Sequence, residues 1–526
     1  MPISSNYPDV QLREADIFSF LFVRDDLPFA EDKVIFQDAD ESALRYTYAD
    51  GDVIALFTPN SIDVPAVVFG ALWTGAVLSS ANPGYTVGEL EFQLRDCGAR
   101  YLIAHQSSLP TARKACARVG IPESRIILVG ISKSSSVGIQ KVRHWTSIRD
   151  AGTNSVRVAP PQINPKEDLA FLAYSSGTTS APKGVRLTHF NVTANIQQMR
   201  PLETVTCDGS IRIPGIPDAP RTGDKALACL PFFHIYGLTC MMINPLYTGI
   251  ECVLMGSFDI ERWRQAVQKH RITVGYLVPP ILLLLCKHPA ADKYDLSSLR
   301  ICSSGAAPLT RELVETVFNK RGLRVKQGYG LTETSPTLFA MRWQDWHSRV
   351  GTTGLLVPNM RAKFHEPFDE EMPNRKTKEL PRGEVGELYV QGPNIFHGYH
   401  NNPAATAECL RDGWFRTGDV GFMDAEGNLT ITDRAKELIK YKGFQVAPAQ
   451  LEGLLIDNDI VDDAAVVGVS LPEQATEAPR AHYKLRGGVR FIDAIPKTAS
   501  GKILRRTLKE LVKQEAQASS ELKSHL

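Results

Sequence analysis

"FLAYSSGTTSAPKGVRLTHFN" runs from Phe171 to Asn191, passing from an apolar, strand-like entry into small and hydroxylated residues closed by Pro182, Lys183 and Gly184. Clustered Gly, Ser and Thr present backbone N–H groups and hydroxyls together, a combination that suits a phosphate chain. Gly177 and Gly184 permit close backbone approach, and Lys183 can add a point charge. The loop is not a G-x-x-x-x-G-K-[ST] phosphate loop, because Lys183 precedes the glycine beside it. No G-x-G-x-x-G follows a strand pattern, which disfavours a dinucleotide fold.

Around this stretch, apolar β-rich runs alternate with helical patterns. "DVIALFTPN" (Asp52 to Asn60) leads into "DVPAVVFGALWTGAVLSSANP", and "RYLIAH" (Arg100 to His105) precedes "SSLPTARKACARVG". "ITVGYLVPP" and "LRICSSGAAP" read as further strands ending in Pro or Gly. The alternation predicts a layered α/β fold with substantial parallel sheet, whose Gly/Ser-rich turns sit at strand carboxyl ends, where ligands bind. "HEPFDEEMPNRKTKELPRGEVGELYVQGPNIFHGYHNNP" is charged and rich in turn residues, with short strands such as "GELYV", and predicts an antiparallel β subdomain.

The 526 residues carry a net charge of +1, which points to neither nucleic acid nor an anionic membrane surface. At this length two to four domains are expected. The longest apolar run, Val274 to Cys286, is too short to span a bilayer, contains Pro279-Pro280, and reads as buried core. Nine cysteines are dispersed without a Cys-x-x-Cys pair or zinc spacing, as expected of reduced intracellular thiols. The N-terminus lacks the basic-then-apolar order of a secretory signal. Ser524-His525-Leu526 resembles the Ser-Lys-Leu address, predicting a peroxisomal import receptor as partner and the peroxisome as location, with the cytoplasm otherwise.

Downstream of the opening loop come "PFFHIYGL" (Pro231 to Leu238), "SSGAAPL" (Ser303 to Leu309), "QGYGLTETSP" (Gln327 to Pro336) and "GWFRTGDVG" (Gly413 to Gly421). "TDRAKELIKYKGFQVAPAQLE" (Thr432 to Glu452) and "IPKTASGKILRR" (Ile495 to Arg506) follow. In this order the strings resemble the signature series of the adenylate-forming superfamily, most nearly the 4-coumarate–CoA ligase-like acyl- and aryl-CoA synthetases, from about Tyr46 to Arg506. The resemblance implies a large α/β adenylate-forming domain over residues 1–432, made of layered α/β subdomains plus a small β subdomain. A hinge at 433–436 and a small mobile α+β domain at 437–526 would follow.

The implied activity joins a carboxylic acid, aromatic or fatty, to coenzyme A with ATP and Mg²⁺ through an acyl-adenylate. Bringing an anion onto a tetra-anion demands positive charge and oriented donors around the phosphates. By resemblance, Ser175, Ser176, Gly177, Thr178, Thr179 and Lys183 grip the β- and γ-phosphates. Thr332 and Glu333 hold the α-phosphate and the metal, for which a carboxylate beside hydroxyls is a suitable ligand set. Asp419 takes the ribose hydroxyls, with Arg434 following at the domain junction. Gly305, Ala306, Ala307 and Tyr329, next to Gly330, form the adenine slot. Lys502 bridges the acyl carboxylate and the α-phosphate as charge develops. Lys440, Lys442 and Gln445 belong to the thioester step, although "ELIKYKG" also reads as a helix end whose lysines oppose the dipole. His234 gates an acyl pocket lined by Tyr236, Cys240, Gly328, Gly330, Pro336 and Thr337, in which the hydroxyl of Thr337 favours a more polar acyl group.

Two junctions depart from the pattern. "RYTYADGDVIALF" passes directly from Tyr48 to Gly51, and "EAPRAHYKLRGGVRF" from Ala481 to His482, where the family carries further helix and strand. A small domain deprived of a helix should expose apolar surface that the helix would cover. Three alternatives stand beside a CoA ligase: a synthetase loading a carrier protein, a luciferase-like oxygenase, and a truncated non-catalytic nucleotide-binding paralogue.

Overall fold

Five parallel pairings build the centre of the molecule. The strands Val325–Gly330, Ile301–Ser304, Val274–Leu277, Lys225–Ala228, Glu251–Leu254 and Phe36–Asp38 lie side by side in that order. Antiparallel neighbours Thr337–Ala340 and Leu355–Leu356 extend one edge, and Arg45–Tyr46 the other, giving nine strands among the described residues. The computed structural model describes residues 2–24, 36–38, 45–46, 56–130, 142–146, 161–175, 182–203, 215–218, 220, 223–288, 293–307, 309–367, 377–435, 437, 439–441, 444–446, 448–456, 460–461, 463–468, 488–497, 503–505, 507–512 and 514–515. The C-terminal tripeptide and both short junctions fall outside these residues.

A buried staple sits at the amino ends of three central strands. Arg300 donates through Nε to Asp224 Oδ1 at 2.9 Å and through Nη2 to Oδ2 at 2.5 Å, and Thr273 Oγ1 donates to the same carboxylate at 2.6 Å. These three residues immediately precede Lys225–Ala228, Val274–Leu277 and Ile301–Ser304. The opposite, carboxyl ends are therefore held in fixed relation, and ligand-binding turns of parallel sheets lie there.

A four-stranded parallel sheet (Leu56–Phe57, Leu102–His105, Ile126–Val129, Arg143–His144) carries apolar residues on both faces. Ile103, Ile127 and Val129 join the main core, whereas Leu102, Ala104, Ile126 and Leu128 pack into a second core with Leu109, Ala112 and Cys116 of the helix Leu109–Val119. That period-two split is what a parallel sheet covered on both sides requires. The helix Asp63–Trp73 is buried from Asp63 to Leu72 and belongs to the main core. The run from Val274 to Cys286 is core as expected over Val274–Val278 and at Ile281, Leu282, Leu285 and Cys286, whereas Leu284 is exposed. Pro279 and Pro280, however, open a helix, Pro279–Lys287, where their missing N–H groups cost nothing.

A seven-stranded antiparallel sheet, built on Arg361–His365, Gly386–Gln391, Trp414–Met423 and Leu429–Arg434, forms the expected β subdomain. One placement differs from expectation. The strand Leu169–Ser175 pairs antiparallel with Lys183–Thr188, so the Ser/Thr-rich loop closes a hairpin and does not follow a strand of a parallel sheet. Beyond residue 437 a minor core of Val446, Leu451 and Val466 is accompanied by exposed Leu454, Ile460, Val489 and Phe491. No helix among the described residues is long and apolar enough to cross a membrane.

His189, fully buried at the start of the helix His189–Glu203, accepts the Ile17 N–H on Nδ1 at 3.1 Å. Burial lowers its pKa from 6.5 to about 4, so the unfolded chain binds a proton in that window that the native protein refuses. Stability should therefore fall as pH drops from 7 to 5, by about 2 kcal/mol from this group. Denaturant midpoints at the two pH values should show a shallower fall in His189→Gln, and an unchanged fall would contradict the assignment.

Candidate active site

Asp419 is 3% exposed on the strand Trp414–Met423 and lies in register opposite Arg434 of the neighbouring strand. Arg434 Nε reaches Asp419 Oδ1 at 3.0 Å, and the Tyr329 hydroxyl donates to Oδ2 at 2.6 Å. Burial, followed by the Asp419 charge, pushes the Tyr329 phenol well above its ordinary pKa, so it stays a donor at neutral pH. The Asp419 charge likewise raises the Arg434 pKa and keeps it cationic. This trio joins the end of the central sheet to the antiparallel sheet and to the last residues before the C-terminal region.

Glu333 comes four residues after Tyr329, on the short turn Thr332–Thr334. The turn is folded tightly back onto its own strand. The Leu331 N–H donates to the Pro336 carbonyl at 3.1 Å, and a Cβ on Gly330 would overlap that same carbonyl oxygen. Only glycine permits such an approach. The Ser335–Pro336 bond is cis, and Asn394 clamps the turn by donating to the carbonyls of Thr334 at 2.7 Å and Thr337 at 3.2 Å. Glu333 is thereby held nearly buried, and its Oε1 accepts the Tyr399 hydroxyl at 2.8 Å.

Tyr399 also meets the opening loop. Lys183 Nζ lies 5.0 Å from the centroid of its ring, a cation–π distance. The backbone explains why they meet: His400 N–H donates to the Gly184 carbonyl at 2.7 Å, and Arg186 N–H to the Gly398 carbonyl at 3.1 Å. At Gly184 a Cβ would lie 3.2 Å from both His400 and the ring of Tyr174, its cross-strand partner, so little room is left between them. The Arg434 cation also feels the Glu333 carboxylate, which ties the two clusters electrostatically.

A third group lines the side toward the sheet. Tyr236 donates to the Ser303 carbonyl at 3.2 Å, and a Cβ on Gly305 would touch its ring at 3.6 Å and the Gly328 carbonyl at 3.7 Å. Tyr236, Gly305 and Gly328 thus share one space. Cys240 follows on the π-helical turn Gly237–Ile243, where burial raises its thiol to about 12, so it stays protonated and uncharged. His234 is half-buried and accepts the Tyr236 N–H on Nδ1 at 3.3 Å. Thr337 is half-buried with its backbone paired to the Asn195 amide at 3.0 and 2.7 Å. Ala306 adopts φ 70° beside Ala307, bending the chain away from the end of the strand.

Ser176, Gly177, Thr178, Thr179, Lys442 and Lys502 lie outside the described residues, whereas Ser175 ends its strand at the loop. Lys440 and Gln445 are not on a helix end. They sit directly opposite each other on the antiparallel hairpin Ile439–Tyr441/Phe444–Val446. The β-rich "FQV" after Gly443 outweighs the local lysine pattern. Sequence reasoning missed Tyr399 and Asn394. A lone Tyr in "HGYHNNP" and an Asn before an apolar residue carry no spacing signal, and their partners are 66 and 60 residues away.

A divalent cation would find Glu333 with one carboxylate oxygen engaged by Tyr399 and the Thr332 hydroxyl beside it in sequence. No group of three or more metal-ligating side chains occurs among the described residues. Mg²⁺, which takes one or two carboxylates together with substrate phosphates and water, would find one such carboxylate in Glu333.

Comparison with known proteins shows the family. Residues 42–400 match the family model described as AMP-binding enzyme. The chain is 35% identical over 489 residues to 4-coumarate–CoA ligase 1 of Petroselinum crispum, spanning 87% of this chain and 84% of that protein. It is 34% identical over 519 residues to 4-coumarate-CoA ligase 1 of Narcissus pseudonarcissus, spanning 93% and 89%. In fold it is similar to the anthranilate CoA ligase AuaEII in complex with anthranoyl-AMP, with TM-score 0.80, 24% identity, and coverage of 97% and 99%. The chain therefore belongs to the AMP-binding enzyme family, within its AMP-forming acid–thiol ligases.

Because a methyl group at Gly330 must displace the Pro336 carbonyl, Gly330→Ala should move the turn carrying Glu333. A cost of about 1–3 kcal/mol is expected from the overlap, together with loss of nucleotide binding. Calorimetric titration with ATP alongside a thermal melt checks this. Unaltered affinity in the variant would show that the turn is not part of the site.

Proposed function

We propose that this acid–thiol ligase activates an aromatic or fatty carboxylic acid with ATP and transfers it to coenzyme A. In the first step a carboxylate oxygen attacks the α-phosphorus and pyrophosphate leaves. In the second, the CoA thiolate attacks the acyl carbon and AMP leaves. The observation that carries the reading is the meeting of three distant segments. Lys183 and Glu333 converge on Tyr399, while Arg434 and Tyr329, four residues before Glu333, converge on Asp419.

The roles follow from chemistry. Asp419, already accepting from a phenol and a guanidinium, is an oriented acceptor for ribose hydroxyls. Lys183 and the hydroxyls of Ser175 to Thr179 would stabilise the β- and γ-phosphates, and Thr332 with Glu333 the α-phosphate and Mg²⁺. When bound, the cation would offset charge on the departing pyrophosphate. Gly305, Ala306, Ala307 and Tyr329 leave a flat slot for the adenine, and Tyr236, Cys240, Gly328, Pro336 and Thr337, gated by His234, border the acyl group. Lys502 serves adenylation. Lys440, Lys442 and Gln445 serve thioester formation, and residues 433–436 exchange the two.

The experiment is acid-dependent pyrophosphate release, with and without CoA, on purified protein. Lys502→Ala should lower adenylate formation by about 10²–10³-fold, a typical loss for one charge-stabilising group. Conversion of supplied acyl-adenylate to thioester should be largely spared. Equal losses in both halves would overturn the role of Lys502. Thioester appearing on a phosphopantetheinylated carrier protein but not on CoA would overturn the acceptor.

A further inference from the structure

Tyr399 stands between two charges of opposite sign that the proposed reaction needs apart. Its hydroxyl donates to Glu333 Oε1 at 2.8 Å, and Lys183 Nζ lies 5.0 Å from the centroid of its ring. Among the described residues no ion pair links the ammonium to the carboxylate. An ammonium on a flexible four-carbon stem, this near a carboxylate partly shielded from water, is strongly drawn to it.

The tyrosine is fixed from several sides. Its ring meets the Phe396 ring edge-on with centroids 5.0 Å apart, and Phe396, itself buried, packs against Phe415 at 5.2 Å. The Tyr399 N–H donates to Thr406 Oγ1 at 2.9 Å, on the helix Pro403–Cys409. Its backbone bridges to Val185, two residues beyond Lys183, and the Phe396 N–H donates to the Glu333 carbonyl at 3.0 Å. One short segment thus grips both the strand of the lysine and the turn of the glutamate. Burial, and after it the Glu333 charge, raise the phenol pKa, so the hydroxyl remains an uncharged donor.

A tyrosine in this place has two effects. Its hydroxyl engages one oxygen of Glu333 and leaves the other, and a carboxylate oriented in this way holds a metal more tightly than a free one. Its ring gives Lys183 a weaker resting place than a carboxylate would, so the ammonium is kept near and released readily. A cation locked in an ion pair binds phosphate only in the fraction of molecules whose pair is open, and the apparent affinity falls by that fraction.

We propose that Tyr399 is a positioning residue that keeps Lys183 and Glu333 from neutralising each other, reserving the ammonium for the triphosphate and one carboxylate oxygen for Mg²⁺. The inference rests on the ATP-using reading above and adds the residue that keeps its two charged groups available.

The test is calorimetric titration with ATP, first in EDTA and then at graded Mg²⁺ concentrations, with a thermal melt of each variant. Tyr399→Phe keeps the ring and loses the hydroxyl. Its metal-free ATP binding should be unchanged, whereas the Mg²⁺ concentration giving half of the metal's effect should rise about tenfold. Tyr399→Leu loses both, and its metal-free ATP binding should weaken about tenfold as Lys183 pairs with Glu333. Adding Glu333→Gln to that variant should restore metal-free binding to the level of Glu333→Gln alone, which a merely damaged fold would not do. Wild-type affinity in Tyr399→Leu, or a loss that Glu333→Gln does not relieve, overturns the role of Tyr399. If the leucine variant fails to fold, Tyr399→Phe decides: no loss, or an equal loss with and without Mg²⁺, overturns it. Absence of ATP binding by the wild type instead overturns the proposed function, so the two failures are distinct.

Discussion

One carboxylate, that of Asp419, is shared between a phenol from the central parallel sheet and a guanidinium from the strand that leads into the C-terminal region. Two sheets whose backbones also meet at the bridge between Leu355 and Asn428 are joined by side chains at this point. The junction lies at the carboxyl ends of parallel strands whose amino ends are fixed by Arg300, Asp224 and Thr273. Remove the shared carboxylate and Tyr329 and Arg434 have no common partner. The turn carrying Glu333 would then be tied to that side of the molecule through Asn394, Phe396 and Tyr399. Hydrogen bonds to a charged group away from water are among the stronger ones available, which suits a junction that must be rigid.

The second constraint is the lack of side chains. Gly330 lets the strand and the following turn touch, Gly184 leaves room for His400 beside its cross-strand partner Tyr174, and Gly328 leaves open the space in front of the sheet. Each glycine costs conformational entropy on folding, and each is placed where a methyl group would close a gap or push backbone aside. The enclosing polar groups are consequently carried on neighbouring segments. Asn394, Tyr399 and Tyr236 all reach in from elsewhere to hold backbone or carboxylate in place.

Much of this was legible in the sequence, and the boundary is a physical one. Alternation of β-rich and helical runs anticipates the parallel sheet because period and composition are local properties, and "GELYV" marks the antiparallel subdomain for the same reason. The residues around Asp419, Glu333 and Tyr329 were found because they sit in strings of distinctive order. Tyr399 and Asn394 were not, because a single tyrosine or asparagine acquires meaning only from a partner 60 to 66 residues away. The hairpin at Ile439–Val446 was read partly as a helix end for a related reason. Local charge preference is worth a few tenths of a kcal/mol, and tertiary pairing overrides it.

The C-terminal region follows different rules from the rest. Its apolar cluster is Val446, Leu451 and Val466, and large apolar side chains, Phe491 at 97% among them, remain in contact with solvent. What ties it together is polar. Arg505 donates to both oxygens of Glu452, to Glu437 at 2.7 Å and to the Val466 carbonyl at 3.3 Å, drawing three segments onto one guanidinium. A planar fork with five donors can organise a small unit that has too little apolar area to organise itself. Among the described residues, polar ties also connect it to the large body. Lys287 donates to the Val461 carbonyl, the Ala435 N–H donates to the Gly418 carbonyl, and Arg434 is paired with Asp419. A unit held together by internal ionic ties can turn as one piece. Rotation about residues 433–436 would need that property if Lys502 and the Lys440–Gln445 hairpin are to take turns at one substrate.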